Sequence, residues 1–344
     1  MCLHTPAVLF SRFFNERPAD MSFASETKNE LARIEPEKKC CMLSEIAAYI
    51  RTAGSMGIVG FGKFTITLTT DNAAVARHYK KLIKTYFDIE TELEITEGGS
   101  VGRNRKEKKY NYIITINPEN NSEAILRECG ILMIKEGHNY FSDGIYSGLV
   151  RAKCDKRAYL RGTFLGAGTM SNPDKAYHLE FVMNSEVMAN DLKKLINSFA
   201  DLSCKVVQRG KKYIVYMKKA DYISDTLALM GASSQVLTLE DIRIKKEMVS
   251  SARRAMNCDS ANLDRAIDAS MRQVEAIRTI AEMKGLKWLD PKLSEVATLR
   301  LEHPEASIAA LGEMLDPPLK KSGINNRLRK IEDIAARLNA GDVS

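Results

Sequence analysis

The sequence predicts an α+β chain in which two similar halves, each a sheet with helices on one side, precede an all-helical end. Three observations predict it. Ser44–Met56 superimposes on Ala158–Met170 at an offset of 114 residues, with Ala48 on Gly162, Gly54 on Gly168 and Met56 on Met170. The order strand, amphipathic helix, hairpin, helix follows each copy, so the chain contains an internal duplication. After Ser233 the pattern turns to almost continuous helical spacing. Lys156–Met170, KRAYLRGTFLGAGTM, combines Leu160, Phe164 and Ala167 at three- and four-residue spacing with Gly162, Gly166 and Gly168, which leave one face nearly bare. Glycine costs about 1 kcal/mol relative to alanine inside a helix, so several together indicate close approach of another backbone. The first copy supplies that partner.

In chain order, residues 1–20 form an apolar opening without a basic start or a small-residue cleavage pattern. They read as a disordered extension or a misassigned start ahead of Met21. A capped helix follows, with Ser22 or Ser25 as the cap. The first half, 21–130, has a helix over Lys38–Arg51 broken by GSMGIVGFG. A half-buried strand over Lys63–Thr70 alternates Phe64, Ile66 and Leu68 with threonines. Asp71 or Asn72 caps a helix whose buried face is Val75, Tyr79, Leu82, Ile83 and Phe87. The hairpin Glu90–Thr96/Tyr110–Asn117 and the helix Ser122–Cys129 close this half.

Residues 131–232 hold a connector to Val150 and the second half. Its elements are a strand Tyr177–Met183, a helix Ser185–Phe199, a hairpin about Arg209-Gly210-Lys211-Lys212 and a helix Ala220–Met230. Residues 233–286 read as a helical linker of two helices, Leu239–Met256 and Leu263–Lys284, with a turn at Asn257-Cys258-Asp259. The last segment, 287–344, has three helices. One begins at Pro291; Ser307 caps the second; after the turn Asp316-Pro317-Pro318-Leu319, Ser322 caps a third running to Leu338. This is the helix-turn-helix arrangement. With Ile324, Leu328, Ile331 and Ala335 inward, the angle of about 100° per residue turns Ser322, Asn326, Arg329 and Lys330 outward, with Asn325 and Arg327 on the flanks. Asparagine pairs with adenine and arginine with guanine in the major groove, while Lys320, Lys321 and Ser322 at the helix start suit phosphates.

The bulk numbers exclude several classes. No run approaches the roughly 20 apolar residues that span a bilayer, so no membrane partner is expected. Seven cysteines without repeating spacing argue against a disulfide framework and point to a reducing compartment. The adjacent Cys40 and Cys41 lack partnering ligands in the sequence, so no metal and no cofactor is expected. His78, His138 and His178 have no carboxylate or nucleophile at a spacing that singles them out as bases. The net charge of +7 is modest, but its distribution is informative. Arg103, Arg105, Lys106, Lys108 and Lys109 crowd a Gly-rich hairpin loop that can contact a DNA backbone, or be solvated surface only.

LRGTFLGAGT, Leu160–Thr169, resembles the helix signature of the LAGLIDADG homing endonucleases, in which two such helices pack at a pseudo-twofold axis. The resemblance implies a duplicated LAGLIDADG-like saddle of two αββαββα-type halves. In active nucleases each helix carries a metal-binding acid just before its last glycine; here those positions are Ala53 and Ala167, so no catalytic residue and no enzyme activity is expected. Together with NCDSANLDRA, Asn257–Ala266, and LGEMLDPPLKKSGINNRLRKIEDIA, Leu311–Ala335, the chain resembles the WhiA family from about Met21 to its end. That resemblance implies a sequence-specific, DNA-binding transcriptional regulator, cytoplasmic and nucleoid-associated. It further implies a role in cell division and chromosome segregation, and in sporulation in some lineages. Double-stranded DNA is the expected partner, with other transcription regulators or RNA polymerase as candidate protein partners. The alternatives are an active LAGLIDADG-type DNA endonuclease and a protein-docking module without DNA reading.

Overall fold

The computed structural model describes residues 22–60, 63–98 and 109–340. They fall into two units, divided between Ile244 and Lys245. The expected extension 1–20 and the loop residues Arg103, Arg105, Lys106 and Lys108 lie outside the described residues. Among the described residues no helix is long and apolar enough to cross a membrane.

The first unit opens with α1 (Phe23–Leu31), where Ser22 is the N-cap and accepts a hydrogen bond from the Ser25 N–H. The first half is α2 (Lys39–Ala53), β1 (Gly54–Ile58), β2 (Phe64–Thr70), α3 (Ala73–Phe87), β3 (Glu92–Gly98), β4 (Lys109–Ile116) and α4 (Ser122–Glu128). Its antiparallel sheet runs β1-β2-β4-β3. Phe64, Ile66 and Leu68 of β2 are buried as their alternation requires. Asn72 is the cap of α3, its Oδ1 accepting from the N–H groups of Ala74 and Val75 at 2.9 and 3.2 Å.

The segment between the halves is more structured than a plain connector. It forms a hairpin of β5 (Leu132–Lys135) and β6 (His138–Phe141). Its two turn residues, Glu136 and Gly137, both have positive φ, the geometry that matches the twist of the flanking strands. The second half repeats the first: α5 (Lys153–Ala167), β7 (Gly168–Met170), β8 (Leu179–Met183), α6 (Glu186–Asn197), β9 (Lys205–Arg209), β10 (Lys212–Met217) and α7 (Ala220–Met230). Its sheet runs β7-β8-β10-β9, the same order as the first. Both halves therefore follow αββαββα.

Two strands correct the sequence reading. Gly54 onward, read as a break, pairs with β2 as β1, and Gly168–Met170, read as the end of the glycine helix, is β7. Gly54 and Gly168 are extended C-caps at which the chain leaves helix for strand, a change that a helical-periodicity count does not register.

The pair α2/α5 forms the centre of the core. Leu160 and Phe164 are fully buried, as are Ile46, Ala48 and Ile50 opposite them. A Cβ at Gly162 would stand 2.4 Å from the Glu45 carbonyl oxygen, and one at Gly166 2.1 Å from Thr52 Oγ1. The bare face thus admits the α2 backbone at Gly162 and the Thr52 side chain at Gly166.

From Ser233 the chain is one helix, α8 (Ser233–Met283). The expected turn at Asn257-Cys258-Asp259 does not form. These residues are only mildly unfavourable in a helix, neither Gly nor Pro interrupts them, and the Ala, Met and Arg around them favour it. The second unit continues with α9 (Pro291–Glu302), α10 (Ile308–Glu313) and α11 (Lys321–Asn339). Its separate core joins Ile277 and Ile280 of α8 to Leu289, Val296, Leu311, Leu315, Ile324, Leu328, Ile331 and Leu338.

Candidate nucleic-acid interface

In the second unit, proline at the first position of α9 and Asp290 as its N-cap set the start of the helix. Ser307 Oγ caps α10, accepting from the Ala310 N–H at 3.1 Å. The turn into α11 is held by backbone: the Leu319 N–H donates to the Gly312 carbonyl at 2.9 Å. A Cβ at Gly312 would meet the Leu319 carbonyl oxygen at 2.2 Å, so only glycine fits there. Arg300 is 2% exposed, and its guanidinium donates to the carbonyls of Pro304 and Ala306, closing the loop between α9 and α10. Burial pulls its pKa below the usual arginine value, while Glu305 works against that shift. No periodicity could have marked Arg300, because it is a cation spent on backbone carbonyls.

On α11 the inward residues are those expected, Ile324, Leu328, Ile331 and Ala335. Lys321, Ser322, Asn325, Asn326, Arg329 and Lys330 are exposed, as is Lys320, and none of their side chains makes a hydrogen bond or ion pair among the described residues. Two details differ from the sequence reading. The N-cap position is Lys320 and Ser322 lies inside the first turn, so Ser322 does not cap the helix. Arg327 is half-buried and donates to the Lys292 carbonyl at 3.3 Å, which ties α11 to α9. Its flank position points it at protein. Residues 320–330 hold five cations and no acid; Glu332 and Asp333 come only after them. Such a face can offer planar bidentate donors to base edges and point charges to phosphates.

In the first unit, α2 and α5 end at Ala53 and Ala167, side by side where acids would hold a metal. Among the described residues no group of three or more His, Cys, Asp or Glu ligands lies at those ends. The sheet face turned away from the helices differs between the halves: that of the first is acidic along β3, and that of the second carries the exposed Lys205, Arg209 and Lys212 beside Glu180. Glu92 and Glu94 of β3 sit opposite Thr115 and Ile113 of β4, and Glu180 of β8 pairs with His178 at 3.0 Å and Arg209 at 3.9 Å. Of the basic hairpin loop, only the backbone pairing of Lys109 with Gly98 is described.

The histidines are less solitary than their spacing suggests. His78 of α3 is buried, with Nε2 2.8 Å from Glu45 Oε1 of α2. The other oxygen of Glu45 accepts from Arg161 Nε and Nη2 of α5 at 2.9 and 2.5 Å. Arg161 Nη1 also donates to the Met230 carbonyl. This buried Glu–Arg–His group crosses the α2/α5 contact and joins the halves; of the three, only His78 borders a surface cavity, beside Asn29, Asp71 and Arg77.

Family models match three successive stretches: the WhiA N-terminal LAGLIDADG-like domain over residues 39–132, the WhiA LAGLIDADG-like domain over 156–249, and the WhiA C-terminal HTH domain over 252–335. The chain belongs to the WhiA family. The probable cell division protein WhiA of Thermoanaerobacter pseudethanolicus is 46% identical over 318 residues, covering 92% of this chain and 98% of that protein. The probable cell division protein WhiA of Alkaliphilus metalliredigens is 44% identical over the same shares of the two chains. The crystal structure of full-length DUF199/WhiA from Thermatoga maritima aligns with a TM-score of 0.54 at 23% identity, covering 92% of this chain and 99% of that one. That likeness concerns the fold. WhiA relatives carry the name of cell division proteins and not that of an enzyme.

Proposed function

We propose that this WhiA-family chain is a sequence-specific DNA-binding transcriptional regulator that acts in cell division and chromosome segregation, and in sporulation where the lineage sporulates. The observation that carries the reading is the outward face of α11, where Asn325, Asn326, Arg329 and Lys330 are exposed and unpartnered above a packed core. Such a face has no folding role, and its mixture of amide and guanidinium donors suits adenine and guanine edges in the major groove. Lys320, Lys321 and Ser322 at the helix start suit phosphates. Double-stranded DNA is the partner, with other transcription regulators or RNA polymerase as protein partners, and the nucleoid is the place of action. The LAGLIDADG-like halves serve as an inert scaffold, since alanine at 53 and 167 cannot ligate a metal.

Selection of bound sequences from a random duplex pool by the full chain tests the proposal. A recurring site should emerge, bound roughly 10³-fold or more tighter than random duplex at physiological salt. Binding that is uniform across sequences, or absent, would overturn it.

A further inference from the structure

We propose that Cys40, Cys41, Cys154 and Asp155 form a tetrahedral site for a thiophilic divalent cation, zinc in the first place, which joins the N-terminal ends of the two central helices. Cys40 and Cys41 lie in the first turn of α2, Cys154 and Asp155 in the first turn of α5. The sequence shows two adjacent cysteines with no ligand nearby. The duplication brings the other pair, because its offset of 114 residues superimposes Cys154 on Cys40 and Asp155 on Cys41. Two helices crossing at a pseudo-twofold axis therefore present two pairs of ligands to one another.

The four donor atoms lie within 4.8 Å of one another. Zinc bonds of about 2.3 Å to sulfur and about 2.1 Å to oxygen, at tetrahedral angles, give edges of about 3.8 Å between sulfurs and about 3.6 Å from sulfur to oxygen. Here Cys40 Sγ is 4.0 Å from Cys41 Sγ, Cys41 Sγ is 3.7 Å from Asp155 Oδ1, and Cys154 Sγ is 3.6 Å from the same oxygen. Three edges thus already have the length that a central zinc would impose. Thiolates with one carboxylate favour zinc over the hard cations magnesium and calcium.

The surroundings complete the site. Asp155 Oδ2 accepts from the Ala152 N–H at 3.2 Å, which fixes the carboxylate and leaves Oδ1 toward the sulfurs. Cys40 is exposed and Cys41 buried, so the site has an entry side and a closed side. Three thiolates and a carboxylate around a dication leave a negative excess. Two helix N-termini and the exposed Lys38, Lys39 and Lys153 stand where they offset it. The thiolate and not the thiol is the ligand, so loading releases protons.

The site stands at the end of the helix pair opposite Ala53 and Ala167, so it has no part in nuclease chemistry. Its role is to clamp one half to the other.

The test uses the full reduced chain, stripped with chelator and titrated with cobalt(II) as the spectroscopic probe. One equivalent should bind, with thiolate-to-cobalt charge transfer and the intense visible bands of tetrahedral cobalt, and zinc should displace it. Cys40→Ser and Cys154→Ser should weaken binding by more than the roughly 10–100-fold that loss of a supporting partner costs. Cys258→Ser, in the exposed middle of α8, should leave the spectrum unchanged. Circular dichroism checks that each variant is folded; should Cys41→Ser not fold, the exposed Cys40 variant and the wild-type spectrum decide. No charge transfer, an octahedral spectrum, equal loss in Cys258→Ser, or a Cys40–Cys154 disulfide in place of metal under reducing conditions would each overturn the proposal.

Discussion

At the scale of single residues, the centre of the first unit depends on what Gly162 lacks and what Glu45 and Arg161 carry. A methyl group at Gly162 would collide with the backbone of α2 at Glu45, which cannot rotate away. Gly162→Ala is therefore expected to destabilise by about 1–3 kcal/mol, read as a lowered urea midpoint. The same change at Gly210, where nothing lies within 4 Å, meets only the strain of its positive φ. Arg161→Leu would leave the fully buried Glu45 carboxylate with His78 alone, at a cost of about 3–5 kcal/mol. Glu45→Met with Arg161→Leu removes both charges and should recover most of that loss; a double variant as unstable as the single one would show that packing, not charge, is decisive. The glycine face was legible because glycine in a helix demands a reason. The Glu–Arg pair was not, because 116 residues separate its members and neither breaks an apolar stripe.

At the scale of elements, α11 is where sequence and structure agree best. A strong amphipathic period over Lys321–Asn339 leaves one choice of inward face, and the outward residues follow from the helical angle. Asn326→Ala and Arg329→Ala should each lower the ratio of specific to random affinity by about 1–3 kcal/mol with melting unchanged, whereas Lys320→Ala should weaken all duplexes about equally. Arg327→Ala should instead lower the melting temperature, since its partner is the Lys292 carbonyl. Retention of the full ratio in both Asn326→Ala and Arg329→Ala would remove α11 as the reader. α8 shows the opposite case. A cluster of Asn, Cys and Asp was read as a turn, yet capping residues act only where a helix has another reason to stop, and here neither glycine nor proline supplies one.

At the scale of the whole molecule, the duplication made the fold class legible and hid the site that depends on it. Repeated patterns gave two αββαββα halves, but a ligand set shared between copies is invisible to any search for close spacing. With alanine at both helix ends, incubation with supercoiled DNA and magnesium or manganese should leave it intact; a reproducible double-strand cut at one site would contradict the inert scaffold. The core also fixes the response to alkali. Burial raises the pKa of the Cys129 thiol and of the Tyr79 and Tyr159 phenols, and lifts Cys204 to about 11. The ordinary values are 9.0 for the thiols and 10.0 for the phenols. The unfolded chain loses these protons first, so stability is complete below about pH 9 and declines above it, by about 1.4 kcal/mol per group and pH unit. Melting temperatures that hold level to pH 11 would contradict this.

The charges at the helix crossing also set which halves recognise each other. The first half contributes Glu45 and His78, the second only Arg161. Two copies of the first half pressed together would bury a pair of carboxylates with no guanidinium, and two copies of the second a pair of guanidiniums with no carboxylate. Each half thus distinguishes its complement from itself. A fold whose pseudo-symmetry would allow a homodimer has in this chain become an obligate pairing of unlike partners, and the shared polypeptide guarantees that they meet.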